Sequence, residues 1–512
     1  MLKIRYIKLS RQNLKSIKVK ILKLTLLVMA TTFLLSCQKE DNLDIVQIDD
    51  FESIDVLSDK SILGKQLENP YSVENMKKAL SELKSSNTLK SSAMDDDFEI
   101  ETTHLYVRFL PNNEEELNLL KQDTLLDFYD YPLDYEIISP GICYHDPSLP
   151  DTVITWQYTV VSPDYDFPNV KYEILSELFL IEEKDDDSNL KSATMNIPFW
   201  DMLEDKALEI TGNLDETNIS GAVLKASKWR PAGRITANGR AIVGCKVKAR
   251  RWFTTHRGYT NTEGRFSCDG QFRRDANYSV KWERNYWSIR SGTWGQAYYN
   301  GPKQRGDWNL DITGGASLRY AFIHQAAYDY FYRNPFNTQI PFEKKWFRSE
   351  LKIGYYDKLG EDKAADFAKW RNWFTFPHIR IYKGQNSDAS TTAIYATTIH
   401  ELAHCAHWQK IVNAKGSNRI SDYINAETKL KESWARGVQR EFTTRFISST
   451  YRPSYHGDYT AIVHSLLPLG YSLRQLEDAL ISASTMDEWK NNIKNKYENS
   501  NKSQLDNIFD RF

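Results

Sequence analysis

The chain has 512 residues, too many for a single compact core, so several domains are expected. With 41% apolar and 26% charged residues it is globular, and a net charge of −2 gives no overall attraction to nucleic acid, which is not an expected partner. The five cysteines, at positions 37, 143, 245, 268 and 405, show no CxxC or paired-ligand spacing, which excludes a cysteine zinc module.

Residues 1–23 carry many Lys and Arg and almost no acid, and residues 24–35 (LTLLVMATTFLL) are apolar. That run is too short to span a bilayer core of roughly 30 Å as a helix, but it suits the centre of a signal peptide. Leu34-Leu35-Ser36-Cys37 follows and resembles a bacterial lipobox. The resemblance implies that residues 1–36 are removed and that Cys37 is lipidated; an uncleaved membrane anchor is the other reading. Gln38-Lys39-Glu40-Asp41 resembles the Lys-acidic export signal of Bacteroidetes surface lipoproteins. Together these imply an outer-membrane lipoprotein exposed on the cell surface, with a lipid anchor as its contact with the membrane.

Residues 37–95 read as an acidic, polar tether. One amphipathic helix interrupts it, with Ser72 as cap and Val73, Met76, Ala79, Leu80 and Leu83 at helical spacing. Residues 97–185 then alternate like strands in THLYVRFLP and YEIISPGICY, with NEEELNLLKQ as a short helix between them. They predict a small α+β domain. His104 and His145 fall in it without a spaced partner and are expected to serve packing or the surface.

Residues 218–312 contain regularly spaced short strands separated by turn signals at Asn238-Gly239 and Asn261-Thr262-Glu263-Gly264. That pattern predicts a β-sandwich. The string AIVGCKVKARRWFTTHRGYTNTEGRFSCDG resembles the carboxypeptidase regulatory-like domain, a transthyretin-like sandwich that is accessory rather than catalytic. Sixteen Lys or Arg lie between Lys225 and Arg290 against four acids, interleaved with Trp229, Trp252, Trp282 and Trp287. This surplus fits either an anionic ligand, such as a sulfated or sialylated glycan or nucleic acid, or a solvated face balanced by the acidic N-terminal region. Cys245 and Cys268 fall in the same unit, and an exported location permits a disulfide between them.

Residues 315–512 are helix-dominated, with strand-like LKIGYYDK and HIRIYKG leading into TTIHELAHCAHW. In the stretch His400-Glu401-Leu402-Ala403-His404, two His four apart lie one above the other on a helix face, so both rings can address one point. Zinc accepts such a pair, and Glu401, next to the first ligand, is placed to act as general base on a water. Asp388 or Ser390 can cap the helix; Ile394, Ile399, Leu402, Ala403 and Ala406 supply an apolar stripe, and no Gly or Pro interrupts residues 389–413. Lys410 stands where the extended metzincin pattern needs a third His. His407 shares the face, with packing as its expected role.

A likeness to the gluzincin arrangement would instead place the third ligand, a Glu, on a following helix; NAETKLKESWARGVQREFTTRF is such a helix candidate and offers Glu427, Glu432 and Glu441. Glu432-Ser433-Trp434-Ala435 resembles the Glu-x-x-Ala of gluzincin metallopeptidases, in which the small residue one turn on admits close approach to the zinc helix; Gly437 is similarly small. The resemblance covers about fifty residues, Thr391 to Phe442, and implies Zn2+ on His400, His404 and Glu432, with Glu401 catalytic in peptide hydrolysis. It implies an extracellular protein or glycoprotein substrate. HIRIYKG would be an edge strand for that substrate, and Tyr455, His456, Tyr459 and His464 are candidates to assist the oxyanion. A capping box is expected at Ser472 and Gln475. The fold class expected is multidomain α+β: an N-terminal α+β domain, a β-sandwich in the middle, and a zincin-like, mainly helical C-terminal domain. The rival function is a surface-binding lipoprotein with an inactive peptidase-like domain, recognising anionic glycan or protein through the basic, Trp-rich sandwich.

Overall fold

A computed structural model of the chain describes residues 60–86, 98–180, 197–214, 228–293, 295–341, 350–357, 365–367, 378–383, 390–415, 420–453, 458–497 and 501–511. Cys37, the residues read as a signal peptide and most of those read as a tether lie outside them. Helix and sheet are mixed throughout, in five sheets among the described residues.

The first block contains β1 (Ile62–Gln66), α1 (Val73–Ser85), β2 (His104–Leu110), α2 (Glu114–Leu120), β3 (Tyr135–Ser139), β4 (Gln157–Val161), β5 (Lys171–Leu178) and α3 (Ile197–Ile210). Strand β2 is central, antiparallel to β4 and β5. Ser72 caps α1 by accepting the Asn75 N–H. Met76, Ala79, Leu80 and Leu83 bury against Phe199, Leu203 and Ala207 of α3. The helix predicted inside the tether is thus part of this core, because its apolar face finds a partner beyond residue 196.

The second block is built from β6 (Ala232–Ala237), β7 (Arg240–Ala241), β8 (Lys246–Arg251), β9 (Thr254–Tyr259), β10 (Arg265–Ser267), β11 (Ala276–Lys281), β12 (Glu283–Arg284), β13 (Trp287–Ser291), β14 (Gly295–Gln296), β15 (Tyr298–Gln304) and β16 (Trp308–Ile312). One sheet has the order β10-β6-β16 with β7 on β6; the other runs β15-β11-β8-β9. Asn238 and Gly239 close the β6–β7 hairpin with φ of 48° and 73°, the left-handed pair that a two-residue turn between twisted strands requires. Ile235 and Ile312 of the first sheet share one core with Val247, Tyr278 and Val280 of the second. Cys245 and Cys268 are buried as free thiols, so the disulfide expected between them does not form. Burial pushes both thiols up, Cys268 to about 12.

Several of the basic residues of this block are matched by acids of the first. Lys248 lies 2.7 Å from Asp127, Arg273 2.9 Å from Asp201 and Arg251 3.3 Å from Glu204, while Arg274 pairs with Asp205. The balance expected from the acidic N-terminal region is therefore present, but at a buried contact between blocks rather than on a solvated face. Lys248, Arg250, Arg274 and Arg290 are buried, and Trp282 and Trp287 are fully so.

Strands β12 to β14 leave these two sheets. Strand β13 pairs in parallel with β17 (Leu351–Tyr356), which pairs in parallel with β19 (Ile379–Tyr382); β18 (Ala365–Phe367) lies antiparallel on β19. The sheet beside the helices thus draws on residues 283–296, inside the segment read as sandwich. It also corrects the edge-strand expectation: β19 is flanked on both sides, and β18 ends the sheet among the described residues.

The remaining helices are α4 (Gly315–Tyr328), α5 (Thr391–Lys415), α6 (Ile420–Ile424), α7 (Thr428–Phe446), α8 (Ile462–Leu466), α9 (Leu473–Leu480), α10 (Met486–Lys496) and α11 (Gln504–Phe509). Helix α5 packs against both α4 and α7. From Thr398 to Val412 every residue of it is buried, so it is a central helix rather than one with a single apolar stripe. Ser472 and Gln475 form the expected capping box on α9.

Candidate metal centre

Ser390 caps α5, its Oγ accepting the Ala393 N–H at 3.2 Å. No helix breaker follows, so His400 and His404 sit one turn apart with ring centroids 4.7 Å apart and planes at 86°. Their Nε2 atoms are 3.1 Å from each other. Helix α7 crosses beside them because Leu430, Trp434, Val438 and Phe442, all fully buried, hold it in the core.

That placement delivers Glu432. One carboxylate oxygen lies 3.2 Å from His400 Nε2 and the other 3.1 Å from His404 Nε2. The three residues form a group that can hold a metal ion, with ligand atoms within 4.8 Å of one another. The competing carboxylates are elsewhere. Glu427 accepts the Met486 N–H at 3.0 Å at the start of α10, and Glu441 lies 3.6 Å from Arg440.

Electrostatics suits the donor set. Burial depresses His400 to about 4, which keeps it a neutral imidazole with a lone pair to offer. At Glu432 burial favours protonation, but the two imidazoles overcome it and hold the carboxyl well below its usual range. Burial likewise works against a charged His404, and the Glu432 carboxylate outweighs it, raising the pKa. Glu401 is buried on the same helix, and its charge acts on His404 in the same direction.

Tyr423, on the short helix α6, was not identifiable from the sequence. Its hydroxyl lies 3.2 Å from His404 Nδ1. This contact fixes the imidazole with Nδ1 turned to Tyr423 and Nε2 turned to Glu432, the outer contact that orients a metal-binding His. The spacing from His404 follows no helical period, since α6 begins a new element, so nothing in the pattern pointed to it. His407 is fully buried, with neither ring nitrogen hydrogen-bonded, and its ring meets Tyr423 edge-on at 5.1 Å. Burial lowers it to about 3, so it packs as a neutral ring behind the centre.

Gly437 does not serve the approach to α5. A Cβ there would lie 2.3 Å from the Val463 side chain, so its smallness admits α8 instead. Lys410 is buried against Glu477 at 2.9 Å, a structural pair at the position a third His would take in the extended pattern. His464 lies half-buried on α8, whereas Tyr455, His456 and the Tyr459 side chain fall outside the described residues. Searches of family models, curated proteins and solved structures match nothing to the chain.

Replacing Tyr423 by Phe is expected to weaken metal binding by about tenfold while leaving stoichiometry at saturation unchanged. Competition with a chromogenic chelator measures this; equal affinity for wild type and variant would remove Tyr423 from the site.

Proposed function

We propose that the protein is a gluzincin-type zinc metallopeptidase that hydrolyses peptide bonds of extracellular proteins or glycoproteins. The observation that carries this reading is the convergence of His400 Nε2, His404 Nε2 and the Glu432 carboxylate at 3.1–3.2 Å from two helices. Ligands on a zinc at roughly 2.0–2.1 Å stand roughly 3.3 Å apart at tetrahedral vertices, so the three atoms fit with little movement. Two imidazoles and one carboxylate are also a catalytic rather than a structural set, since a fourth position stays open.

Zinc bound there supplies a Lewis acid that polarises the scissile carbonyl and acidifies a water. His400, neutral, and His404, oriented by Tyr423, present Nε2 to the ion, and the ionised Glu432 completes the set. Glu401 accepts the proton of the attacking water and returns it to the departing amine. Strand β18, at the end of its sheet among the described residues and packed beside α5, offers backbone groups to an extended substrate. The paired sheets of residues 228–312 act as an accessory module of the carboxypeptidase regulatory-like kind, and Cys37 carries the lipid that holds the chain at the outer membrane. The rival surface-binding reading is less well supported, because several of the cations and Trp residues it needs are buried between blocks.

The purified protein is expected to cleave casein or mucin-type glycoprotein, to stop when zinc is chelated, and to recover on adding one equivalent of zinc. Cleavage that persists at full chelation would exclude a metallopeptidase.

A further inference from the structure

Far from the metal centre, a cavity of about 40 Å3 opens where three segments meet, room for roughly three waters or one small oxyanion. The loop after α2 contributes Tyr129, Asp130 and Tyr131. Strands β8 and β11 contribute Lys248 and Lys281, and the β13–β14 hairpin contributes Arg290 and Gln296.

Charge around this cavity is lopsided among the described residues. Lys121 lies 2.7 Å from Glu350 and 3.6 Å from Glu283; Lys246 lies 3.4 Å and Lys281 3.3 Å from the same Glu283. Asp127 is 2.7 Å from Lys248 and 3.7 Å from Lys246. Glu114 lies 2.6 Å from Lys352 and 3.9 Å from Arg290. Lys121, Lys246, Lys248 and Lys281 thus share the three carboxylates Glu350, Glu283 and Asp127, and none of these seven side chains is more than 17% exposed. A surplus of buried positive charge is costly without a compensating anion.

The fifth acid, Asp130, does not supply it. It is buried, and one of its carboxyl oxygens has no hydrogen-bond partner. Burial raises it to about 7 against the pull of Lys281 and Arg290. The neighbouring phenols of Tyr131, Tyr144 and Tyr298 are all pushed up by burial and remain neutral. Gln296 Oε1 is likewise buried without a donor. The cavity therefore asks for an anion that also carries a proton to donate.

We propose that this cavity binds one hydrogen phosphate ion, which neutralises Lys248, Lys281 and Arg290, donates to Gln296 and ties the three segments together. Protonated Asp130 donates a hydrogen bond to the ion. Sulfate has the size and the charge but no proton for Gln296.

The full-length mature chain is titrated with inorganic phosphate by calorimetry at constant ionic strength, with chloride as the balancing ion. The expected result is one saturable site per chain, with Tm rising as phosphate is added. Sulfate and phosphoserine are each expected to bind at least about tenfold more weakly, the first for want of a proton and the second for its size. Phosphate itself passes from mostly the monoanion to mostly hydrogen phosphate over this range, so affinity is referred to the hydrogen phosphate present; on that basis moving from about pH 6 to about pH 8.5 should weaken binding by roughly tenfold or more. The sign follows from two groups: Asp130 ionises and repels the ion. Lys248, which burial lowers to about 7 while Asp127 and Glu283 oppose and Lys246 and Lys281 reinforce that shift, loses its charge. Asp130→Asn, a neutral donor at any pH, should keep more of its affinity at the higher pH than wild type does. Lys281→Gln should abolish the site, and if that variant does not fold, the Asp130→Asn comparison still decides. Absence of saturable binding, equal binding of sulfate, or identical pH profiles for wild type and Asp130→Asn would each overturn the proposal.

Discussion

Glu401→Gln is expected to retain a full complement of zinc and to lower kcat/KM on peptide substrates by about 10²–10⁴-fold, the usual worth of a positioned proton-transfer group. The amide preserves the shape of a buried side chain on a helix buried on all sides, so the fold has no reason to change. It lies outside the group of His400, His404 and Glu432, so the metal has no reason to leave. What disappears is the only chemical property the amide lacks, a basic oxygen able to take a proton and give it back. The variant therefore separates hydrolysis from binding, and a lipoprotein that merely binds its target would be indifferent to it. Metal content and kcat/KM are measured on the same preparation. Hydrolysis by the variant at the wild-type rate would end the general-base assignment.

Glu432→Ala is expected to act one step earlier, lowering zinc affinity by more than about 100-fold, beyond the cost of an outer-sphere contact. Two imidazoles remain, but the anion that balances the cation is gone, and the pull that raises His404 goes with it. Hydrolysis is lost as a consequence and returns partly at high zinc. Glu427→Ala is the informative control: its carboxylate accepts the Met486 N–H at 3.0 Å, so zinc content should stay at the wild-type value. Loss of zinc in the Glu427 variant but not in the Glu432 variant would reverse the ligand assignment.

Local rules carried the reading of the site a long way. The spacing of His400 and His404, the cap at Ser390 and the absence of breakers are properties of one helix, and they hold in the structure. Leu430, Trp434, Val438 and Phe442 at helical spacing marked α7 as a packed helix with three carboxylates to offer, and the likeness of Glu432-Ser433-Trp434-Ala435 to Glu-x-x-Ala picked Glu432 among them. The hairpin at Asn238-Gly239 and the capping box at Ser472 are local in the same sense. What escaped depends on partners distant in the chain. Tyr423 reaches His404 only because α6 folds back over α5. The parallel pairing of β13 with β17 joins residues more than fifty apart, so no periodicity announces it, and the interior place of β19 follows from β18 alone. The basic stretch around β8 to β13 misleads for the same reason, since Asp127, Asp201 and Glu204 meet it from outside the window in which charge was counted.

A crystal structure of the purified protein, with anomalous diffraction measured on both sides of the zinc absorption edge, tests the centre most directly. One zinc is expected within roughly 2.0–2.2 Å of His400 Nε2, His404 Nε2 and a Glu432 oxygen, with a water on the remaining side toward Glu401. Zinc bound at other residues, or the three side chains turned away from a common point, would contradict it.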